Sequence, residues 1–177
     1  SDLPPMLMAL DARFKFSGKP GERELSSEEF FAKHPKTWMA HDEILTEIIV
    51  PRLGEGEQAF FSTFTRTAVD FALESVAGWV KRQDKICEDA RIVLGACSVL
   101  PQHVKEVEGF LVSAGPWTRE VPVKAGGFMK EHGKFQRDAR ASLELRRQVG
   151  RVLLVRALKD LDGPCPCSIA SKKGGRS

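Results

Sequence analysis

Three apolar segments follow one another in the middle of the chain, and their spacing constrains the fold more than any other feature. They cover residues 59–65, 71–81 and 90–97, and the turn around Gln83-Asp84-Lys85 separates the last two. Strand-length apolar segments joined by short polar turns are typical of antiparallel sheets. The pattern predicts a three-stranded antiparallel meander.

Two amphipathic segments follow the predicted sheet. Residues 102–113 carry an apolar stripe at helical spacing, and a longer helix is predicted over 139–161. The buried stripe of the longer helix is predicted from Leu145, Val149, Val152, Ala157, Leu158 and Leu161. The stretch 117–134, which is broken by Gly and Pro, receives no assignment. The predicted fold class is therefore α+β, with a three-stranded antiparallel sheet packed by helices.

The first 55 residues carry a different pattern of short elements. A helix over Leu3–Leu10 with Asp2 as its N-cap precedes a strand over 12–16, and 23–25 is the returning strand of a hairpin. Ser26 or Ser27 then caps a short helix that ends at Phe31, and Pro51 stops a β-branched strand over 43–50. The boundary with the following domain is expected near Pro51 to Gln58.

Charge and hydropathy exclude several classes of partner. The chain has 27 basic and 24 acidic residues, and the excess lies in a C-terminal stretch that contains Lys172, Lys173 and Arg176. We expect no nucleic-acid partner and a disordered tail over 164–177. No apolar run reaches the roughly 18 to 20 residues that a membrane-spanning helix needs, so no membrane span is expected. The N-terminus lacks the charged and apolar regions of a signal peptide. Four cysteines in a chain of this size do not make a disulfide-rich scaffold, so a reduced cytoplasmic setting is predicted.

The motifs of common active sites are absent from the sequence. It has no Gly-rich phosphate loop before a helix, no His-Glu-x-x-His and no Gly-x-Ser-x-Gly. Cys165-Pro-Cys167 has no second ligand pair at metal-binding spacing, so two exposed thiols are the favoured interpretation over a soft-metal site. We predict no catalytic residue and no metal site.

Five motifs, in the same order and at similar spacing, resemble the FAD-binding (medium) subunit of molybdenum hydroxylases such as carbon monoxide dehydrogenase and xanthine dehydrogenase. The motifs cover about residues 1 to 160. They are Ser1-Asp2-Leu3-Pro4-Pro5 with Leu7 and Ala9-Leu10-Asp11-Ala12; Asp42-Glu43-Ile44-Leu45 with Ile48 and Pro51; Arg66 with Ala68 and Asp70-Phe71-Ala72; Ala90-Arg91-Ile92 with Leu94-Gly95-Ala96; and Ser142, Glu144 and Arg146-Arg147, followed by Val152-Leu153 and Arg156-Ala157-Leu158.

The resemblance also implies a domain organisation. Residues 1–55 correspond to the C-terminal part of the second FAD-binding subdomain, 56–163 to the flavoprotein C-terminal domain, and 164–177 to a tail. Family members carry a preceding segment with the Gly-rich loop for the FAD diphosphate, and Ser1 corresponds to a position just after it. The resemblance thus implies that FAD binds the complete subunit and that binding by this chain alone is weak or absent.

The resemblance assigns cofactor contacts to three residues. Ser1 and Asp2 match a pair that reaches the cofactor, although a plain helix cap explains them equally well. Leu45 matches an apolar residue that packs near the flavin, and its alternative is ordinary strand core. Many members place a Lys before the Arg-x-Ala-x-Asp motif, and residues 61–65 here contain none. Arg66 and Asp70 are interpreted as a structural ion pair or a turn contact.

The implied function is that of an oxidoreductase subunit. In such complexes a molybdopterin subunit oxidises the substrate, an Fe–S subunit passes on the electrons, and FAD delivers them to NAD, a quinone or another acceptor. The implied partners are those two subunits and the N-terminal FAD-binding segment, and the chain alone is not expected to be active. The alternative is a non-catalytic domain for subunit packing or binding that has no FAD of its own.

Overall fold

The structure, a computed structural model, describes residues 2–19, 21–32, 40–67 and 70–161. Ser1, the Cys165-Pro-Cys167 pair and the predicted disordered tail over 164–177 lie outside these ranges. No helix in the described ranges is long and apolar enough to cross a membrane.

The N-terminal elements follow the predicted pattern closely. In chain order they are α1 (Leu3–Ala9), β1 (Arg13–Gly18), β2 (Gly21–Ser26), α2 (Ser27–Phe31) and β3 (Ile44–Ile49). Ser26 is the N-cap of α2 and forms a capping box with Glu29, because each side chain accepts a hydrogen bond from the other residue's backbone N–H. Either of two serines was predicted to cap this helix, and the structure selects the first.

The first three strands form an antiparallel sheet in the order β2-β1-β3. Phe14 and Phe16 project from β1 to one face, where the ring of Phe30 stacks on that of Phe14 with centroids 3.8 Å apart. Helix α2 therefore covers the sheet at β1. Strand β3 forms an edge of this sheet.

The second sheet contains the predicted meander. It is formed by β4 (Glu57–Phe64), β5 (Glu74–Gln83), β6 (Ile86–Gly95) and β7 (Gln102–His103), in that order, and every pair is antiparallel. The antiparallel arrangement of the first three strands is confirmed. The two-residue strand β7 adds a short fourth strand to the predicted three.

The two faces of the second sheet are covered by different helices. The alternating residues Val76, Val80, Ile92 and Leu94 face α3 (Lys105–Ser113), α4 (Val121–His132) and α5 (Leu143–Asp160). Ala77 and Val93 project to the other face, where they pack against Met8 and Ala9 of α1. Because Leu7 also reaches the cluster around Phe14, α1 connects the two sheets.

Helix α4 occupies part of the stretch 117–134, for which the sequence pattern gave no assignment. Pro122 lies in its first turn, where backbone N–H groups have no partner within the helix, so the missing N–H of proline costs no hydrogen bond. Gly126 faces α5, and a Cβ at this position would lie only 2.5 Å from Val155 Cγ2. The glycine thus lets the two helices approach closely, which explains its presence in a helix despite its low helix propensity.

The buried stripe of α5 differs from the predicted one in its first half. Leu145 and Val152 are exposed, so their assignment to the core was wrong, whereas Ala157, Leu158 and Leu161 are buried as predicted. Arg146, Gly150 and Leu153 occupy the buried positions instead. The prediction failed because it placed the arginines of this helix on the solvated face.

The first prediction concerns the core contact of α5. Leu153→Ala should lower the free energy of unfolding by about 2 to 4 kcal/mol, since Leu153 is 8% exposed and packs in the helix–sheet core. The neighbouring Val152 is 40% exposed, and Val152→Ala should change the stability by no more than about 0.5 kcal/mol. Chemical denaturation of both variants measures the difference, and equal losses would contradict the assignment of the buried face.

The second prediction uses the adjacent glycines of α4. Gly126→Ala should destabilise the chain by about 1 to 3 kcal/mol, because the added methyl group overlaps Val155 across the helix contact. A Cβ added to Gly127 would meet no atom within 4 Å, so Gly127→Ala should raise the stability by about 0.5 to 1 kcal/mol through helix propensity alone. Thermal unfolding should therefore show shifts of opposite sign, and two shifts of the same sign would exclude the close helix contact.

Candidate functional site

The N-terminus of α1 is held at one end of the second sheet. Pro5 lies against Gly95, since a Cβ added to Gly95 would meet the Pro5 side chain, and Gly95 pairs with Ser75 at the beginning of β5. The first turn of α1 therefore lies at the sheet end where β5 begins and β6 ends. The connection between β4 and β5 reaches the same end.

Asp2 occupies the N-cap position of α1 at this end of the sheet. Its side chain is exposed and makes no capping hydrogen bond, although the sequence offered helix capping as one explanation of this residue. Its carboxylate is therefore not committed to the backbone of the first turn. Ser1, the other residue of the predicted pair, lies outside the described residues.

Leu45 lies on the edge strand of the first sheet. It pairs with Phe16 across β1–β3, and directly opposed residues project to the same face of a sheet. Leu45 nevertheless remains 37% exposed, because α2 covers the sheet at β1 and does not extend over β3. The strand-core alternative for Leu45 is therefore wrong, and its position near a flavin stays a prediction.

Strand β3 carries apolar side chains on both of its faces. Ile48 lies beside Phe14, on the same face as Leu45, whereas Ile44 and Ile49 pair with Ser17 and Arg13 on the other face. All four β3 residues are exposed, and Ile44 reaches 70%. An exposed apolar edge strand is unusual in a domain that works alone, because it presents unpaired backbone groups together with apolar surface.

The β4–β5 connection carries the predicted ion pair. Arg66 Nε donates to Asp70 Oδ2 at 2.9 Å, which confirms the structural interpretation of these two motif residues. The hydrogen bond from Arg66 holds the pKa of Asp70 below its usual range. Phe71 follows at once, donates its backbone N–H to Asp70 Oδ1 and leaves its ring 79% exposed. The connection thus presents a charged pair and an aromatic ring to its surroundings.

Arg146 joins this connection to the rest of the domain. Its Nη1 donates to the backbone carbonyl of Leu73 and, at 3.4 Å, to that of Ala96, while Nη2 lies 2.9 Å from Asp138 Oδ2. The guanidinium group is almost completely buried. It therefore links α5 to the start of β5, the end of β6 and the loop before α5.

Charge at the same end is balanced by Asp138. This carboxylate accepts hydrogen bonds from the side chains of both Arg140 and Arg146. Its partial burial favours the protonated form, but the hydrogen bonds from the two arginines outweigh burial and hold its pKa well below the usual range. A stable negative charge thus accompanies the buried Arg146.

Another buried polar pair lies at the edge of the sheet and serves structure. Glu108 Oε1 accepts from the backbone N–H of Ile92 and lies 2.7 Å from His103 Nδ1. Glu108 therefore links α3 to strands β6 and β7. Its carboxylate is engaged in these structural contacts.

The described residues include no cluster of metal-ligating side chains and two buried thiols. No group of three or more His, Cys, Asp or Glu side chains in the described part could hold a metal ion. Burial raises the pKa of the Cys87 thiol to about 11 and that of the Cys97 thiol to about 12, so neither thiol is ionised near neutral pH.

Two family models match the chain in succession. Residues 1–53 match the FAD binding domain in molybdopterin dehydrogenase, and residues 59–161 match the CO dehydrogenase flavoprotein C-terminal domain. The second model alone covers more than half of the chain.

Individual relatives agree with these models. The chain is 29% identical over 164 residues to the glyceraldehyde dehydrogenase medium chain of Sulfolobus acidocaldarius, and the match covers 91% of this chain and 57% of the relative. It is 28% identical to the 6-hydroxypseudooxynicotine dehydrogenase complex subunit alpha of Paenarthrobacter nicotinovorans, over 89% of this chain and 53% of the relative. The chain thus spans about half the length of these relatives.

Solved structures share the fold. A chain of quinoline 2-oxidoreductase from Pseudomonas putida 86 superposes with a TM-score of 0.80 at 23% identity, over 90% of this chain and 55% of that chain. A chain of carbon monoxide dehydrogenase from Hydrogenophaga pseudoflava gives 0.81 at 21% identity, with the same coverage. The α+β fold class is confirmed, and the chain belongs to the CO dehydrogenase flavoprotein C-terminal domain family, whose members include the medium subunits of molybdenum hydroxylases.

Proposed function

We propose that this chain is the C-terminal part of the FAD-binding subunit of a molybdenum hydroxylase-type oxidoreductase. In the complete subunit, FAD would take electrons from Fe–S clusters and deliver them to an acceptor such as NAD or a quinone. The observation that carries the proposal is the succession of two matches, an FAD-binding domain over 1–53 and the flavoprotein C-terminal domain over 59–161. We place the division between the two units at residues 55 and 56.

The exposed edge strand supports the presence of a further FAD-binding segment. Strand β3 leaves one side of its backbone without a neighbouring strand in the described sheet, and its apolar side chains are exposed. Apolar surface of this kind is stabilised when another segment covers it. We propose that the remaining part of the FAD-binding domain packs along β3, so that Leu45 becomes enclosed beside the cofactor.

The residues present fit one edge of an FAD site. The exposed carboxylate of Asp2 can accept hydrogen bonds from ribityl or ribose hydroxyl groups, and we propose the hydroxyl group of Ser1 as a second contact. Leu45 offers an apolar surface against which an isoalloxazine ring can pack. FAD supplies the electron-carrying chemistry when it is bound, and the role of these side chains is to hold and orient it.

The diphosphate of FAD requires a different structure. A diphosphate is held by converging backbone N–H groups, usually from a Gly-rich loop at a helix N-terminus. No Gly-rich loop precedes a helix in the sequence, and α1 contains only seven residues. The described residues therefore supply an edge of the pocket without its phosphate cradle.

The relatives also suggest how the subunit is assembled. One relative is named as a subunit of a dehydrogenase complex, and another as a medium chain. We propose an Fe–S subunit and a molybdopterin subunit as partners, in the cytoplasm, in addition to the remaining FAD-binding segment. A packing domain without FAD is not favoured, because the match over 1–53 is to an FAD-binding domain.

The third prediction is that the 177-residue chain alone binds FAD weakly. Isothermal titration with FAD should give no sub-micromolar dissociation constant, because the chain has an edge of the pocket without the phosphate cradle. A complete subunit that also carries the preceding FAD-binding segment should be purified with a flavin absorption spectrum. Sub-micromolar binding by the chain alone would contradict this account.

Variants of the complete subunit then test the individual contacts. Asp2→Ala and Leu45→Ala should each weaken the retention of FAD during gel filtration, whereas Asp2→Asn should retain more cofactor because an amide still forms hydrogen bonds. Ile44→Ala is the matched control, since Ile44 neighbours Leu45 but projects to the opposite face of β3. Equal flavin content in all four variants would exclude Asp2 and Leu45 as contacts.

A further inference from the structure

Glu74, the first residue of β5, is a fully buried acid. Its relative exposure is 0%, and neither carboxyl oxygen has a hydrogen-bond partner among the described residues. Buried carboxylates are ordinarily paired or hydrogen-bonded, because an isolated negative charge is costly in apolar surroundings. The position of Glu74 therefore favours the neutral, protonated form.

The fold leaves room for this side chain. A Cβ added to Gly150 of α5 would collide with Glu74 Oε1 and would lie 3.0 Å from the ring of Phe135. Any larger residue at position 150 would thus displace the carboxyl group. The cavity around the carboxyl group is lined by apolar side chains, among them Phe64 and Leu73, and by the charged side chain of Arg146.

Arg146 is the charged group that acts on Glu74, and it is also incompletely satisfied. Its two terminal nitrogens are occupied by Leu73, Ala96 and Asp138, but its buried Nε has no hydrogen-bond partner among the described residues. Its positive charge acts on the Glu74 carboxyl group. An unpaired donor and an unpaired acid therefore lie in the same buried environment.

We propose that Glu74 and Arg146 form a proton-operated switch that sets the position of residues 71–73, which directly precede β5. When Glu74 is protonated, Arg146 holds the carbonyl of Leu73 and the carboxylate of Asp138, and residues 71–73 are fixed. When Glu74 loses its proton, the new carboxylate attracts the guanidinium group, competes with Leu73 for it and loosens residues 71–73. The switch depends only on the folded chain, so it stands independently of the proposed function.

The chemistry of the surroundings sets the pH range of this switch. Burial raises the pKa of Glu74 to about 8, and the charge of Arg146 opposes that increase. The other titratable groups nearby are Cys97 after β6 and Asp138 before α5. The Cys97 thiol stays neutral and Asp138 stays ionised between about pH 5 and pH 9, because their pKa values lie far outside that range. Strand β4 contributes Thr63 and Phe64, which do not titrate.

The sign of the effect on stability follows from the raised pKa. In the unfolded chain Glu74 ionises near its ordinary value of 4.5, whereas the folded chain keeps the proton up to about 8. Protonation of Glu74 therefore stabilises the folded chain fully at a pH below 4.5, and this stabilisation is lost as the pH rises towards 8. Above that value residues 71–73 loosen in the folded chain.

The experiment compares the wild-type chain with Glu74→Gln, which keeps the shape of the neutral acid. Between about pH 5 and pH 9 the thermal midpoint of the wild type should fall, while that of Glu74→Gln should change much less. Glu106→Gln is the matched control, because Glu106 is an exposed residue of α3, and this variant should follow the wild type. Parallel curves for all three proteins would overturn the proposal.

Two measurements on the wild type test the switch even if Glu74→Gln fails to fold. Infrared spectroscopy should show a protonated carboxyl band near neutral pH that disappears with a midpoint near pH 8. The backbone amide resonances of residues 71–75 should shift with the same midpoint. Absence of the protonated band near neutral pH, or amide resonances that do not follow it, would overturn the switch.

Discussion

The buried guanidinium group of Arg146 is the interaction on which the arrangement of the C-terminal domain depends. It connects one helix to the start of β5, the end of β6 and the loop that precedes α5. A buried arginine is tolerated only where its hydrogen bonds and its charge are compensated, and Asp138 supplies the compensating charge. This single side chain therefore fixes α5 relative to the connections at one end of the sheet.

This arrangement determines which element packs on the opposite face of the second sheet. Because α3, α4 and α5 cover one face, the other is left for α1, which belongs to the N-terminal unit. The contact of α1 with Ala77 and Val93 brings Asp2 to the sheet end that carries the β4–β5 connection. The two family units thus share an apolar contact, and the helix that makes it begins beside Asp2, one residue of the proposed cofactor edge.

Much of the fold is predictable because its elements carry local signals. The strands of the meander, the serine cap of α2 and the Arg66–Asp70 ion pair follow from alternation, spacing and side-chain chemistry. Helix α4 is different, because Gly126 is unfavourable for a helix by itself and is explained only by its contact with α5.

The buried charges could not be predicted in the same way. Hydrophobic patterning places charged residues such as Arg146 and Glu74 at the solvent-exposed surface. Glu74 is, however, the only acid in the apolar segment 71–81, and an acid in such a segment is a sequence signal for a buried carboxyl group. The exposure of Leu45 depends on sheet order, since β3 is an edge strand and the linear pattern does not show which strands lie at edges. In each case the surroundings that decide burial come from segments distant in the sequence.

The central claim is that FAD lies against α1 and β3 of this chain in the complete subunit. Hydrogen–deuterium exchange of that subunit, measured with and without FAD, tests it most directly. The account predicts that FAD slows exchange in residues 2–10 and 44–49 and leaves the helix α4 region, 121–132, unchanged. Unaltered exchange in both of the first two segments, in a subunit that retains its flavin, would contradict it.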